Sequence, residues 1–125
     1  MSPCNRDSTS IQHSTINPNG ETITVETYPA DELVQGSPIA PPDIVKIDVE
    51  GVEPLVLQGM TNILRNHCRV LYCEIHPKES NAEHTIDEFG ETVESLISLI
   101  TDQGFTIVHK ERRHNEVQIK AEADK

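Results

Sequence analysis

The chain has 125 residues, which suits one domain, and its 21 acidic against 10 basic residues give a formal net charge of −11. This negative charge argues against nucleic acids and anionic membranes as partners. No stretch is apolar and long enough to span a membrane, and the polar N-terminus does not resemble a secretory signal. The three cysteines form no C-x-x-C pair, so we expect a cytoplasmic protein without disulfides.

The first third of the chain predicts little regular structure. Residues 1–20 are rich in Ser, Thr and Asn and predict a flexible lead-in. The stretch ETITVETYP, which begins at Glu21, alternates apolar and polar residues as a half-exposed strand does. Residues 30–36 suit a short helical turn, and a proline-rich connector follows.

The middle of the chain has the pattern of a strand, a helix and a second strand. The apolar run Ile44–Val49 predicts a strand covered on both faces. Gly51 ends this run, and residues 54–66 then predict an amphipathic helix whose inner face includes His67 at its end. Residues 69–77 predict another buried strand.

The last third predicts a helix and a β-hairpin. Thr85 and Glu88 have the spacing of a capping box, so we expect one helix from there to about Asp102, with Gly104 as its C-terminal cap. Two strand-like segments flank Arg112–His114. Strands that alternate with helices predict an α/β fold, with parallel strands and an antiparallel closing hairpin, as in part of a doubly wound sheet. The domain would cover residues 21–120, followed by a tail at 121–125.

Polar side chains cluster at the ends of the two buried strands. Lys46, Asp48 and Glu50 are two residues apart and share one face if the strand stays regular. Glu74 and His76 likewise share one face of the next strand. Ligands of open α/β folds bind at the carboxyl edge of the sheet, so we expect these side chains to converge on one cleft.

Such a cluster could act in three ways, although charges at single strand ends often only reach solvent. A carboxylate or imidazole can serve as a general base, carboxylates with an imidazole can hold a divalent metal, and negative charge can favour a cationic ligand such as a sulfonium. A structural zinc site at Cys68 and Cys73 is not expected, because paired Cys/His spacing is absent and Cys73 should point away from Glu74.

Two motifs resemble a known family. The stretch DIVKIDVEGVEPLVLQGMTNIL (43–64), followed by RVLYCEIHP (69–77), resembles the C-terminal half of FkbM-family methyltransferases. That family shows a K-I-D-x-E-G strand end, a helix with V-L-x-G, and a strand that ends in E-x-H. The resemblance is good over residues 43–77, and the later helix, Gly-Phe and hairpin fit the order of elements.

The resemblance implies a partial Rossmann-like, mostly parallel methyltransferase fold that uses S-adenosylmethionine, usually for O-methylation. The residues on the motif positions are Lys46, Asp48, Glu50, Gly51, Glu74 and His76. Asp48 would lie near the methyl-sulfonium and the acceptor, and Lys46 and Gly51 would also contact the cofactor. Glu50 or His76 would orient or deprotonate the acceptor hydroxyl, beside Glu74.

One part of the family pattern is missing. The glycines are isolated, so the glycine-rich cofactor loop and the acidic residue after the second strand have no counterpart. We therefore expect a truncated form with an incomplete cofactor site and an uncovered edge on the strand Ile44–Val49, which an oligomer could cover. The alternatives are a regulatory module that pairs with another methyltransferase-like chain, and a metal-binding domain. The acceptor could be a small molecule, a glycan or a lipid.

Overall fold

The computed structural model describes the backbone of residues 11–16 and 22–124, and side chains from residue 26 onward. Its elements in chain order are β1 (Ile11–Ile16), β2 (Thr22–Thr27), α1 (Ala30–Gln35), β3 (Ile44–Ile47), α2 (Glu53–Gln58), α3 (Thr61–Asn66), β4 (Val70–Ile75), a 3₁₀ helix (Ile86–Phe89), α4 (Val93–Asp102), β5 (Phe105–Arg113) and β6 (Glu116–Ala123). The fold is mixed α/β, as the sequence predicts. Two strands reach beyond the predicted domain limits, because β1 lies within residues 1–20 and β6 extends past residue 120.

The strands form two sheets. β1 and β2 pair antiparallel, and the larger sheet has the order β3-β4-β6-β5. In the larger sheet β3 and β4 are parallel, whereas β6 is antiparallel to both β4 and β5. The predicted closing hairpin is confirmed, with its turn at His114–Asn115. The described sheet therefore has one parallel and two antiparallel pairs, and it does not confirm a mostly parallel sheet.

One face of the larger sheet carries the core. Alternate residues of β4 and β6 point into it and pack with α2, α3 and α4 in a single cluster; the most buried of them are Leu57, Ile63, Leu64, Leu71, Ile75, Leu96, Ile100, Val117 and Ala121. The opposite face carries Lys46, Tyr72 and Lys120, and Tyr72 is 42% exposed. In the described part of the chain, helices thus cover one face of the sheet rather than both faces of a doubly wound sheet.

The strand predicted at Ile44–Val49 is shorter and less buried than expected. β3 ends at Ile47 and pairs only with β4 among the described residues. Ile47 is buried, but Ile44 is 66% exposed, so the prediction of a strand covered on both faces is wrong. A run of β-branched residues predicts a strand, but whether both faces are covered depends on neighbours that the run does not contain.

The helix predicted at residues 54–66 is two short helices, α2 and α3. Gly59 ends α2, and its backbone lies against Pro29, where an added Cβ would be 3.1 Å from the proline Cβ. The carboxylate of Asp31 in α1 then accepts the first free backbone N–H groups of α3, at 2.9 and 3.0 Å. His67, predicted on the inner face, is exposed because α3 ends before it.

The helix predicted from Thr85 to Asp102 is also divided. The backbone N–H of Thr85 donates to Glu88 at 2.9 Å, as a capping box requires, but this cap begins only the 3₁₀ helix. Gly90 adopts φ 78° and ends that helix, and Thr92 exchanges hydrogen bonds with Ser95 to begin α4. The predicted glycine at the end of α4 is confirmed, since Gly104 has φ 96°.

Candidate functional site

The ends of β3 and β4 bring three of the predicted site residues together. Ile47 and Cys73 are partners in the parallel register, so Asp48 follows β3 beside Glu74 of β4, and His76 follows directly after β4. One ligand atom from each of Asp48, Glu74 and His76 lies within 4.8 Å of the others. We call these three residues the edge cluster. Their convergence at the carboxyl edge was expected from strand alternation together with a parallel crossover between the two strands.

His76 is held in place by a buried carboxylate. Its side chain is only 6% exposed, and Nδ1 lies 2.9 Å from Oε2 of Glu53, which is fully buried. The backbone N–H of His76 donates to Oε1 of Glu53 at 3.0 Å, and that of Gly51 donates to Oε2 at 2.7 Å. A carboxylate has no hydrogen to donate, so Glu53 accepts from the ring of His76 as it does from the two backbone N–H groups. Nδ1 therefore carries the hydrogen. Nε2 is then left to face Asp48 and Glu74.

Sequence reasoning missed Glu53. An acidic residue just before Pro54 in the first turn of a helix is normally explained by the helix dipole and predicts no buried contact. Its partner His76 is 23 residues away, across the crossover from β3 to β4. The sequence contains only a weak signal for this contact: a glutamate follows one strand of the predicted parallel pair, and a histidine follows the other.

The two carboxylates of the edge cluster lie close to each other and to the imidazole. Nε2 of His76 is 3.9 Å from Oδ1 of Asp48 and 3.6 Å from Oε2 of Glu74. The pKa of Glu74 is raised above its usual value, first by a hydrogen bond with Asp48 and then by desolvation. Gln118 opposes this shift by donating to Oε1 of Glu74 at 3.2 Å. Two carboxyl groups so close favour a shared proton or a cation between them.

Glu50 does not join the edge cluster. It follows the end of β3 with φ 53°, so the alternation that would place it beside Asp48 has already stopped. Its exposed side chain lines a different cleft, together with Tyr28, Val52 and His84. The expectation that Lys46, Asp48 and Glu50 share a face is therefore wrong for Glu50, and its proposed role in deprotonation stays a prediction.

Gly51 is fixed by close packing. It has φ 103°, and a Cβ at this position would lie 1.8 Å from the carbonyl oxygen of His84. The backbone N–H of His84 also donates to the carbonyl of Glu50 at 3.2 Å. This glycine is needed for the turn and for the approach of a later loop. Whether it also contacts a cofactor stays a prediction.

Lys46 lies next to the edge cluster, on the face of the sheet that none of the described helices covers. It lines a cleft of about 390 Å³ with Asp48, Tyr72, Glu74 and Gln118. The ring of Tyr72 is partly covered by the ammonium group of Lys120, 5.7 Å from its centroid. The cleft therefore has an aromatic surface at one end and carboxylates at the other.

The described cysteines belong to the core. Cys68 and Cys73 are both buried, and Cys73 lies on the face of β4 opposite Tyr72 and Glu74, as predicted. Burial, and then the charges of Glu53 and nearby carboxylates, raise the pKa of the Cys73 thiol far above its usual value. It is therefore an inert thiol rather than a nucleophile. Among the described helices, none combines the length and the apolar character needed to cross a membrane.

The comparison with known families decides the relationship. Residues 4–107 match the model of the methyltransferase FkbM domain, which is more than half of the chain. The chain belongs to the FkbM methyltransferase family. The resemblance seen in the two sequence motifs is thus confirmed, and in this FkbM chain the edge cluster falls on the K-I-D-x-E-G and E-x-H positions.

A curated relative covers part of this FkbM chain. The hexuronic acid methyltransferase AglP of Haloferax volcanii is 44% identical over 54 residues. This alignment covers 43% of the chain and 22% of AglP, so the chain spans less than a quarter of that relative's length. No solved structure matches the chain.

Proposed function

We propose that the chain forms part of an S-adenosylmethionine-dependent methyltransferase of Rossmann-like fold that methylates a hydroxyl group. One observation carries this proposal: the edge cluster, with His76 held by Glu53, lies at the carboxyl edge of a parallel strand pair in a chain of the FkbM family. In open α/β folds this edge binds the ligands. We propose, for this chain, the activity that a complete FkbM enzyme would have.

The reaction requires a nucleophilic oxygen close to the cofactor's methyl group. A lone pair of the acceptor oxygen forms the new O–C bond, and the electron pair of the breaking C–S bond stays on sulfur, which changes from a sulfonium to a thioether. The hydroxyl proton must leave as well. Near neutral pH this needs a base or a Lewis acid, and the edge cluster offers groups for either route. In-line placement of the two reactants supplies much of the remaining rate.

The charges at the site suit a cationic cofactor. Asp48 is half-exposed and faces the cleft, so its carboxylate can approach a sulfonium without being buried alone. Lys46 on the same face could pair with a carboxylate of the cofactor. We therefore keep Asp48 and Lys46 as cofactor contacts in the proposal, and Gly51 as the residue that shapes the adjacent turn.

The name of one relative supports a proposal for the acceptor. AglP is named for methylation of a hexuronic acid, and its aligned segment covers 43% of this chain. We propose a sugar hydroxyl as the acceptor, with a hexuronic acid as the first substrate to test. Partner classes disfavoured by the net charge, nucleic acids and anionic membranes, remain outside the proposal.

A second proposal is that the chain works in an assembly. Beside the edge of β3 that pairs with no described strand lies an apolar groove of about 410 Å³, and its lining includes Leu33, Ile39 and Val49. Ile39 is 55% exposed and Ile44 is 66% exposed, which is unusual for large aliphatic side chains beside a free strand edge. A second chain could cover this edge, and light scattering that shows only monomers would contradict the assembly.

The test of the proposed activity measures binding and transfer separately. Calorimetry of the full chain with S-adenosylmethionine is expected to show binding, and mass spectrometry of a hexuronic acid acceptor is expected to show an added methyl group. His76→Gln should lower kcat by about 100-fold, since general acid–base or metal assistance contributes at least that much. His109→Gln makes the same chemical change at an exposed strand position and should leave kcat unchanged. If the unaltered chain shows no binding and no transfer, the proposal is contradicted.

A further inference from the structure

We propose that the edge cluster of Asp48, Glu74 and His76 binds one divalent cation that accepts both oxygen and nitrogen ligands, as Mn²⁺ does. The binding itself stands on the geometry of these three side chains. Its use in methyl transfer rests on the proposed function.

The distances fit an ion with little rearrangement. The cluster offers one nitrogen and two oxygen atoms within 4.8 Å of one another, with Nε2 of His76 at 3.6 Å from Glu74 and 3.9 Å from Asp48. Two ligands bound at about 2.1 Å and at right angles are about 3 Å apart. Each atom therefore has to move by less than about 1 Å, which rotation of the half-exposed Asp48 side chain can supply.

His76 provides evidence that an acidic cluster alone would not. Its side chain is only 6% exposed and its Nδ1–H is fixed by Glu53, so Nε2 faces the two carboxylates. No hydrogen bond among the described residues reaches Nε2. Histidine ligands in metal sites are oriented in this way: one ring nitrogen donates to a carboxylate, and the other nitrogen is left for the metal.

The negative charge of the edge cluster also favours binding of a cation. Asp48 and Glu74 approach each other, and none of the described Lys or Arg side chains forms an ion pair with either of them. Two carboxylates side by side, without a Lys or Arg partner among the described residues, repel each other. A divalent ion bound between them would remove that repulsion and satisfy Nε2 at the same time.

The ligand types narrow the choice of ion. Ca²⁺ and Mg²⁺ sites are built mainly from oxygen ligands, whereas imidazole with carboxylates suits first-row divalent ions. Three protein ligands leave coordination positions open, and Asp48 is 44% exposed, so these positions can reach solvent. An acceptor hydroxyl bound there would lose its proton to water more easily, and its oxygen would then attack the methyl group. The ion is not oxidised or reduced in this step.

The experiment uses Mn²⁺ alone and needs neither cofactor nor acceptor. The full chain, freed of metals with a chelator, is titrated with Mn²⁺, and free Mn²⁺ is followed by electron paramagnetic resonance. We expect one site per chain. Asp48→Asn should weaken it by about tenfold or more, and Asp48 is exposed enough for this variant to fold. Asp43→Asn makes the same chemical change at an exposed side chain just before β3, outside the cluster, and should leave the affinity unchanged within about twofold.

The outcomes separate this inference from the proposed function. Mn²⁺ binding that is lost in Asp48→Asn and kept in Asp43→Asn supports the site, even if no methyl transfer is found. Absence of a stoichiometric site, or equal weakening by both variants, overturns it. Methyl transfer that persists unchanged with excess chelator overturns the catalytic use of the ion, and it leaves the proposed methyltransferase activity standing.

Discussion

Replacement of Glu53 by Gln tests whether a buried carboxylate holds His76. In the structure three donors share two oxygen atoms: Oε2 accepts from Gly51 N–H and from Nδ1–H of His76, and Oε1 accepts from His76 N–H. Gln has the same shape but offers one oxygen and one NH₂ group. If its oxygen replaces Oε2, the NH₂ faces the backbone N–H of His76. If it replaces Oε1, the NH₂ faces Gly51 N–H and Nδ1.

Either orientation leaves at least one buried backbone N–H opposite another donor. An unsatisfied buried donor costs about 1–3 kcal/mol, and the bonds that remain lose the extra strength of a charged acceptor. Removal of a buried charge recovers part of its desolvation cost, so we expect a net loss of about 2–4 kcal/mol in the free energy of unfolding. Domains of this kind have about 5–15 kcal/mol in total, so the loss is large.

Urea unfolding followed by circular dichroism measures this loss if the slope of the transition is unchanged. The matched control is Glu50→Gln, which makes the same change three residues away at an exposed side chain and should stay within about 0.5 kcal/mol. The reasoning is refuted if Glu53→Gln is as stable as the unaltered chain, or if both variants lose stability equally. An ¹⁵N spectrum of the His76 ring should show hydrogen on Nδ1 in the unaltered chain.

Three further predictions concern the surrounding fold. Gly51→Ala should cost about 3 kcal/mol or more in urea unfolding, because its Cβ would strike the His84 carbonyl, whereas Gly104→Ala meets no atom within 4 Å and should cost only its backbone strain. Asp31→Ala should cost about 1–2 kcal/mol by loss of the cap on α3, and an unchanged unfolding midpoint would contradict that cap. The hydrogen bond from His84 lowers the pKa of Glu88, so stability from this pair is present above the usual Glu pKa and lost as pH falls through the lowered one. A carbon NMR titration should show that His84→Ala raises the pKa of Glu88.

Patterns within short stretches of sequence correctly predicted several local elements of the fold. The strands β3 and β4, the hairpin and the left-handed glycine after α4 all follow from residues close together in the sequence. The convergence of Asp48, Glu74 and His76 could also be predicted, because strand alternation and one parallel crossover fix it. These three positions needed no knowledge of distant contacts.

The parts that the sequence could not show depend on contacts between distant residues. The break before α3 comes from Asp31, which reaches the helix from 31 residues away. The orientation of His76 comes from Glu53, whose position in a helical first turn has an ordinary explanation. Exposure of Ile44 depends on which strands lie beside β3. Glu50 was misplaced because β3 ends at Ile47, two residues before the apolar pattern does, and Glu50 itself has a positive φ.

The sheet face that carries Tyr72, which no described helix covers, also supplies a spectroscopic probe. The chain has no Trp and only two Tyr, and one of these, Tyr72, lies in the cleft beside the edge cluster. Tyr28 hydrogen-bonds to Glu26 elsewhere, and a Tyr28→Phe variant would leave Tyr72 as the single source of intrinsic fluorescence. Any ligand or protein chain that covers this face would desolvate that ring and change the intensity of its emission. The arrival of a partner could then be followed in the unlabelled protein.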